Sequence, residues 1–187
     1  MTAEAGRPPL QFPPWARITP TRVKHVEGVC ALLTTWSNEM RASSADTDRW
    51  LRAAVLHDAV KDASTAELAP LADVTWGIPK LLHGPVAAVL AARDGEADLG
   101  ILAAVRYHSV GFAGWDDVGR MLYLADYLEP GRRGLPESLR ALRDRVPLDP
   151  LDALRQVARR RISHQLGKAH PLLPETVAFW NGLTCGT

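Results

Sequence analysis

The sequence, 187 residues long, has little cysteine and almost no excess of either charge. Its two cysteines, Cys30 and Cys185, are too few and too far apart for a disulfide framework or a cysteine metal site. Such usage is typical of a reducing compartment, so we expect a cytoplasmic protein. The 22 basic and 21 acidic residues leave a formal net charge of +1, which provides no broad attraction to nucleic acid or to an anionic membrane. We therefore expect no duplex DNA or RNA partner and no membrane partner.

Long apolar runs and strand patterns are also missing. No stretch approaches the roughly 18 uninterrupted apolar residues of a membrane span. The N-terminus lacks a basic segment followed by an apolar one, so we expect no export signal. Sustained alternation of β-branched and polar residues, which is typical of strands, is absent. The 47% of hydrophobic residues are nevertheless enough to bury one ordinary core.

Proline and helical periodicity divide the chain into two parts. Four of the first 14 residues are prolines, which predicts an extended Pro-rich N-terminal arm over residues 1–16. From residue 17 to residue 187, apolar residues recur at spacings of three and four, with no internal repeat and no convincing boundary. The sequence therefore predicts a single all-α domain, a bundle of about eight helices.

Local signals place several of these helices. The periodicity predicts helices over residues 21–36, 47–61, 97–108, 116–128 and 174–181, with a polar loop over 38–46. Ser64 and Glu67 have the spacing of a capping box, and Asp149 stands before Pro150 as an expected N-cap. A helix rich in alanine is expected between His83 and residue 93.

Histidines and aspartates in apolar surroundings indicate where chemistry could occur. The pair His57 and Asp58 follows an apolar run, and Asp126 lies inside an apolar helical stretch. An unpaired buried carboxylate costs several kcal/mol, so Asp126 needs an arginine, a capping role or a metal ion as its partner. His83 and His108 also lie in apolar segments, where a lone histidine is more often a core residue than a ligand.

Taken together, these residues favour a metal site. His25, His57, Asp58 and Asp126 form a mixed set of imidazoles and carboxylates, which suits Fe, Mn, Co, Ni or Zn. His83 and His108 add enough ligands for a second ion. Two ions roughly 3.5–4 Å apart can polarise a phosphoryl group and activate an attacking hydroxide.

The ordered pattern of His, His-Asp, His, His and Asp on an all-α chain resembles the HD superfamily of metal-dependent phosphohydrolases. The segments LHDAVKD (56–62), LHGPVA (82–87) and above all ADYLEPGR (125–132) are similar to the YqeK group, the symmetrical diadenosine tetraphosphate hydrolases. His170 and residues 175–176 resemble the closing segment of that group. The resemblance covers about residues 22–181, so the domain of residues 17–187 is expected to be one HD domain.

This resemblance implies a function and a set of residue roles. One metal ion, most commonly iron, would be bound by His25, His57, Asp58 and Asp126, and a second by His83 and His108 with Asp58 shared; Mn, Co or Ni are the alternatives. A metal-activated hydroxide would then cleave a dinucleoside polyphosphate, diadenosine tetraphosphate, to two ADP. A homodimer is one possible assembly of the protein.

Further residues are expected around the metal ions. Lys61 follows Asp58 by three positions, so a continuous helix would direct it to the same side, where it could neutralise phosphate charge; a solvated helix-end lysine is the alternative. Asp62 could orient water or relay a proton. Arg132 suits a phosphate, unless it is an ordinary surface arginine. Tyr127 and His170 complete the expected substrate contacts.

Two other functions remain open. Another HD nucleotidase or nucleotide phosphohydrolase would share the ligand set and differ in substrate. A non-catalytic HD module would bind nucleotide without turnover, although the intact set of six ligands argues against it. A guanosine-tetraphosphate hydrolase is disfavoured because Lys61 and Asp62 stand where that group has Glu-Asp, and an HD-GYP phosphodiesterase is disfavoured because the Gly-Tyr-Pro segment is missing.

Overall fold

The computed structural model describes residues 10–131 and 136–185, and these residues form helices joined by turns and loops. In chain order the α-helices are α1 (Pro20–Met40), α2 (Ser44–His57), α3 (Thr65–Leu68), α4 (His83–Arg93), α5 (Leu99–Tyr107), α6 (Asp117–Leu128), α7 (Glu137–Arg145), α8 (Pro150–Gly167) and α9 (Pro174–Thr184). Short 3-10 turns cover Ala69–Leu71 and Pro79–Leu81. The all-α prediction is confirmed, with nine α-helices in these residues against the eight or so expected.

The core is built around α2, α5 and α6, which pack on one another. α1 lies against α2 and α6, α4 lies against α2 and α5, and α8 joins α6 to α7 and α9. Leucines of α1, α2, α6 and α8 are almost fully buried in this core, namely Leu33, Leu56, Leu122, Leu124 and Leu154. The C-terminal ends of α2, α5 and α6 therefore come close together.

Capping side chains set several helix ends, and two of these caps are the ones that the sequence predicts. Ser64 and Glu67 form the complete capping box at the start of α3. The side chain of Asp149 accepts a hydrogen bond from the backbone of Asp152 at the start of α8, and Asp98 and Asp116 do the same for α5 and α6.

The bounds of α2 differ from the expected 47–61. The helix begins earlier because the Ser43 side chain accepts a hydrogen bond from the backbone N–H of Asp46, inside the expected polar loop. It ends at His57, since Asp58 leaves the helical conformation with φ −111° and ψ 15°. Residues 58–62 form turns instead, so the expectation that Lys61 lies on a continuous helix is wrong.

The N-terminal segment lies against the core. Residues 10–16 are not helical, and Leu10, Phe12 and Trp15 pack on buried apolar residues. The Trp15 indole Nε1 donates to Asp94 Oδ2 at 3.2 Å. The division between arm and domain at residue 16 stays a prediction, because residues 1–9 lie outside the described part.

Among the helices of the described residues, none combines the length and the apolarity needed to span a membrane.

Candidate metal and phosphate site

The ends of five helices bring the six predicted metal ligands together. His57 ends α2 and Asp58 follows it, while the remaining four come from α1, the start of α4, the residue after α5 and the last turn of α6: His25, His83, His108 and Asp126. The donor atoms form two groups, each with its members within 4.8 Å of one another. The first group is His25, His57 and Asp126; the second is Asp58, His83 and His108.

Asp58 belongs to the second group and also faces the first, so that each of its carboxylate oxygens is directed at a different pair of histidines. Its Oδ2 is 3.6 Å from His57 Nε2 and 4.0 Å from His25 Nε2. Its Oδ1 is 3.4 Å from His83 Nε2 and 3.5 Å from His108 Nε2. This is the arrangement needed for one carboxylate to bridge two cations.

Three of the four histidines are oriented by backbone carbonyls. In each, Nδ1 lies within hydrogen-bond distance of the carbonyl oxygen three residues earlier: His57 to Ala54 at 2.7 Å, His83 to Lys80 at 2.9 Å and His108 to Val105 at 2.8 Å. A carbonyl only accepts, so Nδ1 carries the proton and Nε2 keeps a lone pair directed at the centre. Metal-ligating histidines usually have such a partner on the other ring nitrogen.

His25 is oriented by a carboxylate instead. Its Nδ1 lies 3.2 Å from Oε2 of Glu129, which is buried just after α6 and whose other oxygen accepts from the backbone of Gly131. On α1, a Cβ at Gly28 would collide with this carboxylate, so a glycine there leaves room for Glu129. Glu129 was not among the residues predicted from the sequence, although it is a carboxylate in an apolar segment, as Asp126 is.

Burial and neighbouring charges set the protonation of these groups. Burial lowers the pKa of His57 to about 4 and holds the pKa of His83 well below its usual value. Burial also opposes charge on Asp58, but the histidines beside it outweigh that effect and lower its pKa well below the usual value. Neutral imidazoles and an ionised carboxylate are the forms that bind a cation.

The pKa of His25 moves in the opposite direction. Burial alone would lower it, but hydrogen bonds with Asp126 and Glu129 outweigh burial and raise the pKa to about 9. Cation binding at His25 therefore requires the loss of a proton near neutral pH.

An unsatisfied atom shows that the residues fit a metal ion. His57 Nε2 is buried and has no hydrogen-bond partner among the described residues. Buried polar groups of this kind are rare in folded proteins, and a bound cation would satisfy this one. The donor set, imidazole nitrogens with carboxylate oxygens, is that of a first-row divalent metal ion.

Two arginines that the sequence analysis missed bind the carboxylates of the site. Arg22 Nη1 lies 2.8 Å from Asp58 Oδ2, and Arg161 Nη2 lies 2.7 Å from Asp126 Oδ2. An arginine was one of the partners expected for Asp126, and the structure shows it in addition to the histidines. Nothing in the sequence around Arg161 distinguishes it from its neighbours Arg159 and Arg160.

Lys61 reaches the site from the turn after α2. Its Nζ lies 3.0 Å from His83 Nε2 and 3.3 Å from His83 Nδ1, and its burial lowers its pKa. Asp62 points to the start of α1, where it accepts from Thr19 N at 2.8 Å and from Thr19 Oγ1 at 2.9 Å. The expected proton relay by Asp62 stays a prediction.

Two adjoining clefts surround the ligands. The metal cleft, of about 660 Å³, is lined by four of the ligands together with Arg22, Lys61 and Glu129. The apolar cleft, of about 910 Å³, lies between the loop of residues 78–81, α6, α8 and residues 170–173. Ser109 and Arg161 line both.

Within the described part of the chain, the other expected substrate residues do not line the metal cleft. Tyr127 and His170 line the apolar cleft, and His170 Nδ1 is 2.9 Å from Gln165 Oε1. Arg132 lies outside the described residues.

Comparisons with known proteins agree with this geometry. The HD domain family model matches residues 22–131. The chain is 30% identical over 181 residues to a symmetrical bis(5'-nucleosyl)-tetraphosphatase of Bacillus subtilis, covering 91% of this chain and 94% of the relative. It is 28% identical to a protein of the same name from Halalkalibacterium halodurans, covering 89% of this chain and 90% of the relative.

The fold is also found in a solved structure. A predicted HD superfamily hydrolase involved in NAD metabolism from Clostridium acetobutylicum superposes with a TM-score of 0.80 at 23% identity, covering 91% of this chain and 92% of that one. The solved structure shows the same fold, while the family model and the Bacillus subtilis relative show that this chain belongs to the HD domain family.

Proposed function

We propose that this protein is a metal-dependent phosphohydrolase that cleaves diadenosine tetraphosphate symmetrically, with water, to two molecules of ADP. The observation that carries the proposal is Asp58, whose two oxygens each face a separate group of ligands. The names of the two relatives, each matched over most of its length, support the substrate.

The residues suit two metal ions, which we propose to be iron, with Mn, Co or Ni as alternatives. His25, His57 and Asp126 would bind one ion, His83 and His108 the other, and Asp58 both. Ions bound there would neutralise phosphate charge and lower the pKa of an attacking water molecule. Other side chains of this protein would then have to position the substrate beside the metal ions.

Cationic side chains around the ligands support the proposal that phosphates bind there. Arg22 and Lys61 line the metal cleft, and we propose that they bind phosphate oxygens there. The planar guanidinium of Arg22 can donate two parallel hydrogen bonds, whereas the ammonium of Lys61 acts as a compact point charge. Arg132, which follows the last turn of α6 by four residues, stays a predicted phosphate contact.

The apolar cleft is the proposed site of one nucleoside. Its side chains, among them Tyr123, Tyr127 and Leu173, offer apolar and aromatic surface next to the metal cleft. A nucleoside bound there would leave its phosphate chain directed at the metal ligands. Tyr127 and His170 would then contact the substrate as proposed from the sequence.

Product analysis tests this function. The protein, loaded anaerobically with ferrous iron and assayed for bound metal, is incubated with diadenosine tetraphosphate, and the nucleotides are separated by chromatography. ADP as the sole product supports the proposal, whereas AMP with ATP contradicts it. Faster turnover of a mononucleotide in a nucleotide panel would support another HD nucleotidase, and tight binding without turnover would support a non-catalytic module.

Two further proposals concern the state of the protein. A homodimer stays a prediction that light scattering tests, and a monomeric mass in solution contradicts it. A cytoplasmic location also stays a prediction; the free thiols of Cys30 and Cys185 support it.

A further inference from the structure

We infer that Arg161 is a specificity-determining residue, which holds Asp126 and binds the substrate phosphate next to the nucleoside. This inference rests on the proposed function for the identity of the nucleotide. It goes beyond that function because Arg161 was not predicted from the sequence, and the names of the relatives describe an activity and not the role of this residue.

The guanidinium of Arg161 is held in place by one face of α6. Asp126 and Tyr127 follow Tyr123 by three and four positions, so each lies next to Tyr123 on the surface of the helix. Arg161 Cζ lies 4.3 Å from the ring centroid of Tyr123 and 5.1 Å from that of Tyr127. Together with the contact of Nη2 with Asp126 Oδ2 at 2.7 Å, these rings prevent the side chain from moving freely.

Arg161 also stands where the two clefts meet. It lines both the metal cleft and the apolar cleft, and only Ser109 shares this property among their described lining residues. A nucleotide with its phosphates at the metal ligands and its nucleoside in the apolar cleft must pass these two side chains. Arg161 supplies the positive charge at that passage.

Holding Asp126 does not use up the donors of Arg161. Asp126 presents Oδ2 to Arg161 and Oδ1 to His25, whose Nε2 is 3.2 Å away, so the two contacts use different oxygens. A guanidinium has five N–H donors, and the buried Nε of Arg161 makes no hydrogen bond within the described residues. The side chain is 19% exposed, which leaves part of it open to a ligand.

A purely structural role makes a different prediction. If Arg161 served only to neutralise Asp126, its loss would affect metal content and stability, and at equal bound metal the affinities for ADP and for adenosine would change by the same factor. If it binds phosphate, the affinity for ADP falls while that for adenosine, which has no phosphate, stays the same.

The experiment uses Arg161→Gln, because glutamine can still donate a hydrogen bond to Asp126 but carries no charge. Calorimetry measures the dissociation constants of ADP and adenosine on protein as purified, with bound metal determined for each sample. We expect ADP to bind about tenfold more weakly, as for the loss of one charge-assisted contact, with adenosine unchanged within twofold. Arg161→Lys should recover part of the difference, and Arg159→Gln, on an exposed position of α8, should change neither constant.

Equal effects on ADP and adenosine, or no effect on either, would overturn the inference. So would a wild-type protein that binds no ADP. The proposed function fails separately: if the wild type does not hydrolyse diadenosine tetraphosphate but binds ADP through Arg161, the inference stands for a nucleotide of another reaction. If Arg161→Gln does not fold, Arg161→Lys gives the same comparison, because its point charge cannot reproduce the fork and should still weaken ADP selectively.

Discussion

The two ends of α2 carry two ionic clusters that differ in how completely their groups are paired. Near the start of the helix, Arg49 binds both Asp98 and Asp116, with N–O distances of 2.6 Å and 2.8 Å. These carboxylates also cap α5 and α6, and every charge in this cluster has a partner. Eight residues later, roughly 12 Å along the helix, His57 ends α2, and His57 and Asp58 lie among the other proposed metal ligands.

The difference concerns what each cluster still needs. The Arg49 cluster is partly exposed, with Asp98 30% and Asp116 41% accessible, and it requires no further ligand. The Asp58 cluster is buried, with Asp58 5% accessible, and it contains the unsatisfied His57 Nε2. The first cluster stabilises the start of α5 and α6, whereas a bound cation would satisfy the open nitrogen of the second. The two ends of α2 should therefore respond differently to mutation.

The largest expected effect is at Asp58, which both groups of ligands share. Asp58→Ala removes the only carboxylate placed between them in the described residues, so we expect both bound metal and hydrolysis to be lost, by about 1,000-fold or more in kcat/KM. Metal analysis and an ADP-release assay measure this. Asp48→Ala, on an exposed position of α2, is the matched control. Full activity in Asp58→Ala would disprove the metal site.

A smaller effect is expected at Glu129, which orients His25. Glu129→Gln keeps the shape of the side chain but removes the charge that faces His25 Nδ1. Mutation of a residue that hydrogen-bonds to a metal ligand typically lowers metal affinity or activity by about 10–100-fold. Titration of the metal into the apo protein measures the loss. Glu27→Gln, exposed on α1 near His25, should leave the affinity unchanged. An equal loss in both variants would show that the effect is not specific to Glu129.

At the other end of α2, the effect should appear in stability and not in activity. Arg49→Met leaves Asp98 and Asp116 without their partner, and we expect the free energy of unfolding to fall by about 1–2 kcal/mol with metal content and kcat unchanged. Arg52→Met breaks a single exposed pair with Glu96 and should cost about 0.5 kcal/mol or less. Urea unfolding measures both. Loss of metal from Arg49→Met would show that the two clusters are coupled.

The smallest effect is the pH dependence of the Arg49 cluster. The hydrogen bond from Arg49 lowers the pKa of Asp98 to about 2, below its ordinary 3.8, so the stabilisation is complete above pH 4 and is lost as the pH falls through about 2. Because Asp98 is partly exposed, we expect its ionised carboxylate to contribute about 1 kcal/mol to the free energy of unfolding. Asp98→Asn keeps the N-cap and removes the charge. The stability difference between wild type and Asp98→Asn should shrink between pH 4 and pH 2; a constant difference would contradict the assigned pKa.

Much of the fold followed from local signals in the chain. Capping residues such as Ser64 and Asp149 act on backbone groups within a few positions, so their effect can be read from adjacent sequence. The end of α2 could not be placed in this way. The apolar spacing continues past His57, but the chain leaves the helix there and Asp58 lies where the four histidines can surround it.

The identities of the six proposed metal ligands were determined by the sequence itself, because their order and their apolar surroundings are properties of the chain. Tertiary packing decided which other groups join them. Arg22, Glu129 and Arg161 belong to the site through contacts across 36, 104 and 35 residues, respectively. No local pattern marks Arg22 or Arg161, since an arginine on a helix is ordinary until another part of the fold places a buried carboxylate opposite it. The pairing depends on how α1, α6 and α8 pack, and only the folded chain specifies that.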